Sequence, residues 1–133
     1  MRIKNVAAVV VLALAAAAPL ASQDTGKKAL KMPLQCAEID CPLLTGAPQT
    51  AGMRSGFVRL KPWEAVGWHT TGDHEEVLVI LRGSGEAQIE GREPIPIAAR
   101  TMVYIPPMTR HNVQNKGREL LEYVYVVAPT PSH

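Results

Sequence analysis

The chain has 133 residues, 14 of them Lys or Arg and 12 Asp or Glu, with 47% hydrophobic residues: enough for one domain built on one core. A formal charge of +2 with no basic stripe excludes a nucleic-acid binder that works by displacing counterions from phosphates. No phosphate-cradling glycine loop, nicotinamide fingerprint or nucleophile elbow occurs either.

The first 22 residues do not read as domain. Arg2 and Lys4 precede an unbroken Val, Leu and Ala run from Val6 to Ala18, followed by Pro19, Leu20, Ala21 and Ser22. Positive start, apolar centre and small-residue exit are the marks of a secretory signal peptide over residues 1–22, and they predict an exported protein, periplasmic or secreted. The apolar run falls short of the roughly 20 residues that cross a bilayer, so stable membrane insertion is not expected. Removing the leader takes away two basic residues and no acid, leaving 12 against 12.

Residues 23–52 are broken by Pro33, Pro42, Gly46 and Pro48 and show no sustained period, which predicts an arm lying over the domain. This arm holds the only cysteines, Cys36 and Cys41. In an oxidising compartment they either pair, for about 2 kcal/mol by loop-closure entropy, or remain two thiols. Their spacing is not that of a Cys-x-x-Cys redox pair.

Residues 53–128 change to short β-type runs: Gly56 to Leu60, Val77 to Leu81, Glu86 to Glu90, Pro94 to Ala98, Thr101 to Ile105, His111 to Gln114 and Leu120 to Val127. Gly83-Ser84-Gly85, Glu90-Gly91-Arg92 and Asn115-Lys116-Gly117 supply residues that tolerate tight turns. Such spacing predicts an all-β sandwich or barrel, with residues 129–133 as a tail. Val77 to Leu81 is apolar throughout and reads as a central strand covered on both faces. Leu120 to Val127 puts Leu121, Tyr123, Tyr125 and Val127 on one face, where the tyrosines either line a pocket or serve as ordinary core.

Chemistry concentrates in two segments. One runs from Trp68 through His69, Thr71, His74 and Glu75 to Glu76; the other from Pro106 through His111 to Asn115. Imidazole nitrogens with a carboxylate oxygen suit a divalent transition metal: Zn, Fe, Mn, Ni, Co or Cu. In a strand beginning early enough, His74 and Glu76 share a face and Glu75 points away. Arg59 and Gln88 are candidate ligand contacts if they face inward.

These segments resemble the two motifs of the cupin family, over about Gly56 to Val127. The first family motif has a His-x-His pair, then a Glu with three or four residues between, then a Gly with six residues between; His69, Glu76 and Gly83 fall on that spacing. The second has a Pro, a His five positions later and an Asn four further; Pro106, His111 and Asn115 match. Thr71 stands where the second histidine belongs, Trp63 where the first motif's leading glycine belongs, and Arg100 and Met108 replace both second-motif glycines.

The resemblance implies a double-stranded β-helix, or jelly-roll, barrel with one metal ion. His69, His74, Glu76 and His111 form the expected ligand set, with His74 standing in for the histidine missing at Thr71; the alternative is three ligands plus water. It allows dioxygenase, isomerase or lyase chemistry on a small oxygen-containing molecule, with Glu76 either a ligand or, swung free, a catalytic base. The competing reading is a non-catalytic barrel of the cell envelope that captures a sugar or other small molecule. A homodimer through edge strands is a further implication of the resemblance.

Overall fold

The computed structural model describes residues 26–131. The expected leader, Met1 to Ser22, lies outside the described residues. Eight strands follow in chain order: β1 (Asp40–Thr45), β2 (Arg54–Leu60), β3 (His74–Arg82), β4 (Ser84–Ile89), β5 (Ile95–Ala98), β6 (Met102–Ile105), β7 (His111–Asn115) and β8 (Leu121–Pro129). Among the described residues no helix is long and apolar enough to cross a membrane.

The strands form a five-stranded sheet in the order β1-β2-β8-β3-β6 and a three-stranded sheet in the order β5-β4-β7, with every pairing antiparallel. The all-β architecture expected from the strand spacing, and the jelly roll implied by the cupin resemblance, are therefore present, as two facing sheets rather than one closed ring. Isolated bridges, Ala65 with Gln114 and His69 with His111, stitch the loop before β3 to the edge strand β7.

Alternation along each strand sets the core. In β3, Glu76, Leu78 and Ile80 turn inward and are buried, while Val79 and Leu81 face out. β3 is central, between β8 and β6, but its outer face is not covered as expected: Val79 and Leu81 are 38% and 43% exposed. The three-stranded sheet meets the inner face of β3, where Ala87, Ile97 and Val113 share the core with Leu78 and Ile80. In β8, Leu121, Tyr123 and Val127 are buried on the inner face.

The arm is more regular than its prolines suggest. β1 adds an edge strand to β2, interrupted by a register shift between Pro42 and Leu44, where proline's missing donor is tolerated at a sheet edge. Cys36 and Cys41 are joined as a disulfide, which ties the approach of the chain to the start of β1.

Gly83 turns β3 into β4 with φ of 77°, and a Cβ there would stand 2.2 Å from the Leu120 carbonyl oxygen. Both conformation and space require glycine. By contrast Trp63, Arg100 and Met108, the residues in place of the family's glycines, all have positive φ, at 71°, 69° and 58°. The bends persist although the residues that adopt them cheaply are gone. Asn115 is fully buried and organises the turn after β7: its Nδ2 donates to the Leu60 and Glu119 carbonyls at 2.9 and 2.7 Å, and its Oδ1 accepts from Gly117 N–H at 2.8 Å.

Candidate metal centre

Three segments deliver the donors. Glu76 projects inward from β3, His111 begins β7, and His69 lies in the preceding loop, fixed to His111 by the backbone bridge. One donor atom from each of His69, Glu76 and His111 lies within 4.8 Å of the others. The two imidazoles are tilted by 58° with centroids 4.3 Å apart.

Backbone carbonyls orient both rings. His69 Nδ1 bonds the Gly67 carbonyl at 2.8 Å and His111 Nδ1 bonds the Thr109 carbonyl at 3.0 Å. Each Nδ1 thus carries its proton toward the main chain and leaves the Nε2 lone pair for the cavity, the usual outer-shell arrangement behind a metal-ligating histidine.

His111 Nε2 and Glu76 Oε2 are 3.1 Å apart with both side chains buried, and among the described residues neither atom has a hydrogen-bond partner. Two buried lone pairs facing each other are costly unless a proton or a metal cation lies between them. Burial pushes the His111 imidazole down, but the Glu76 carboxylate and the Thr109 carbonyl raise it by more, so its pKa lies above the ordinary value. A proton held at this place is one a divalent ion would displace. The donor set, two imidazoles and a carboxylate, suits a transition metal.

The fourth expected ligand is not brought into the cluster. β3 does begin at His74, and His74 shares the inward face with Glu76, but it stands two residues, about 7 Å, along the strand. Its Nδ1 bonds Asp73 Oδ1 at 2.7 Å. Glu75 points away as expected, accepting from the Tyr104 hydroxyl at 3.1 Å. Thr71 lines the cavity beside the cluster, with its hydroxyl donating to the His74 carbonyl at 3.0 Å.

The cluster opens onto a cavity of about 460 Å³, in the range that holds small ligands. Tyr123 and Tyr125 line it, and Tyr123 is at the same time part of the buried core, so the tyrosine face of β8 serves both roles. Arg59 and Gln88 do not. Arg59 pairs with Glu122 at 3.0 Å and donates to the Cys36 carbonyl, and Gln88 bonds Asn112 and Gln114. The cavity instead contains Asp40 and Arg54, which were not anticipated. The visible signal was the run from Asp40 to Thr45, had it been read as a strand opposite Gly56 to Leu60.

The Cupin domain family profile matches residues 56–127. The chain belongs to the cupin family. Solved structures agree on the fold. A cupin 2 conserved barrel domain protein from Salinispora arenicola is 22% identical, with 84% of this chain and 88% of that one covered, at a TM-score of 0.59. A Bacillus halodurans protein is 23% identical over 71% of this chain and 72% of its own, at 0.61. The Schizosaccharomyces pombe Cnp3 cupin domain is 15% identical at 0.61, and the match spans 68% of this chain and 64% of that one. No curated protein matches the chain at a significant level. Asp40 and Arg54 lie outside the matched cupin segment.

Proposed function

We propose that this cupin holds one divalent transition-metal ion between His69 Nε2, His111 Nε2 and the Glu76 carboxylate, and binds a small oxygen-containing molecule in the adjoining cavity. The observation that carries this reading is the buried, unbonded pair of His111 Nε2 and Glu76 Oε2 beside a third oriented imidazole. When bound, the metal supplies Lewis acidity to an oxygen of the ligand. Thr71, which offers no imidazole, leaves that side of the centre to the ligand. Glu76 holds charge against the ion, and the apolar walls formed by Val58, Leu78, Val113 and Val127 exclude water around the bound molecule. Export to the cell envelope is part of the proposal; the leader composition and the Cys36–Cys41 disulfide support it.

The test is elemental analysis of untagged protein from its own cell envelope beside a His69→Ala variant. About one equivalent of metal in the parent and little in the variant is expected. A metal-free parent, or equal content in both, rejects the centre as drawn.

A further inference from the structure

We propose that Asp40 and Tyr125 hold a hydroxyl group of the bound molecule across the cavity from the His69–Glu76–His111 cluster. The ligand is then a small two-ended molecule, with an oxygen group at the metal centre and a hydroxyl at this second anchor. Only the first end rests on the metal reading given above.

The anchor is built from three neighbouring strands. Tyr125 on β8 lies opposite Gly56 on β2, and Asp40 on β1 lies opposite Val58, so both face the cavity with Val58. Gly56 makes the contact feasible. A Cβ there would stand 2.5 Å from the Tyr125 ring and hydroxyl, so the phenol lies flat across β2 only because that position is glycine. Its hydroxyl thereby comes within 3.4 Å of Asp40 Oδ2. Two strand spacings separate β2 from β3, which puts the anchor on the order of 10 Å from Glu76.

The chemistry of the anchor selects its ligand group. Burial, and then the Asp40 charge, push the Tyr125 phenol up to about 12, so it stays a donor at neutral pH. Asp40 offers acceptor oxygens. A hydroxyl accepts from the first and donates to the second. Asp40 and Arg54 set opposite charges at this end of the cavity, both acting on Tyr125, so it offers a neutral polar group partners without a net charge to favour an anion or a cation. Aliphatic walls between the two ends call for a compact apolar spacer.

Cobalt(II)-loaded protein titrated calorimetrically with 4-hydroxybenzohydroxamate and with benzohydroxamate tests this, because the probes differ by one distal hydroxyl. The hydroxylated probe should bind about tenfold more tightly to the parent, and the ratio should fall to near one in Asp40→Ala and in Tyr125→Phe. Equal affinities in the parent, or a ratio kept in both variants, overturn the anchor. If the cobalt absorption bands respond to neither probe, the metal reading has failed instead. The anchor is then judged on metal-free protein with phenol against anisole, followed by the Gly56 and Tyr125 amide resonances. A phenol preference that Asp40→Ala abolishes supports it, and equal responses overturn it.

Discussion

His69 and His111 exchange two backbone hydrogen bonds, each amide donating to the other's carbonyl at 2.9 and 2.8 Å. The frame of the centre is therefore main chain, and truncating either ring leaves it standing. His111→Ala should stay folded, with a stability loss of about 2 kcal/mol for the buried ring, while metal affinity falls at least about a hundredfold. Circular dichroism together with chelator competition would show it, and unchanged metal affinity would remove His111 from the ligand set.

Metal uptake should depend on pH in a definite direction. The raised pKa of His111 means that its proton persists above the ordinary 6.5 and must leave when the ion enters. Apparent affinity should climb by about tenfold per pH unit up to that raised pKa, then flatten. In metal-free protein the same shift contributes stability that is full below pH 6.5 and lost as pH rises through the folded-state pKa. Zinc titrations in an indicator buffer, counting protons released, check the first point. A pH-independent affinity contradicts it.

Thr71→His should restore an imidazole where the family motif carries one. Thr71 lines the cavity, and the substitution costs only its bond to the His74 carbonyl, about 1 kcal/mol. Metal affinity is expected to hold or tighten in the same competition assay, and a folded variant with weakened binding would show that this side chain cannot reach the ion.

Arg100→Gly and Met108→Gly should each stabilise the fold. Both residues hold positive φ and are exposed, Met108 to 74%, so relief of the left-handed backbone outweighs what little packing is lost. The net gain should be about 1 kcal/mol, seen as a rise of about 4 °C in Tm by calorimetry. A lower Tm would mean that the lost side-chain contacts matter more than the backbone.

Asn115→Ala should be severe. It removes, at a fully buried side chain, donors from two carbonyls and the acceptor for Gly117 N–H. A loss of about 3 kcal/mol in urea unfolding is expected. A change under about 0.5 kcal/mol would show that this network is replaced by solvent.

Much of this was legible because strand chemistry is local. The seven β-type runs from Gly56 to Val127 became β2 to β8 with shifted ends, and Glu76, His69 and His111 converge because β3 in one sheet faces β7 in the other, to which the His69 loop is bridged. His74 was misleading for a geometric reason: a shared strand face does not bring side chains together when they are two residues apart and one is bonded to Asp73. The arm was illegible for another reason. Pro42 masks the alternation of β1, and which residues of an edge strand enter a cavity depends on register with β2, a long-range property. The same ignorance of register left Arg59 open and hid Asp40.

β1 reaches the sheet from outside the cupin segment, fastened at its start by the Cys36–Cys41 bond. Asp40 in the cavity lining is thus supplied by a stretch of chain that carries none of the three converging donors. Substitutions there can change what the cavity admits while the donors are inherited intact. Under the reading proposed above, the arm thereby takes a share in ligand choice while metal holding stays with the two motifs.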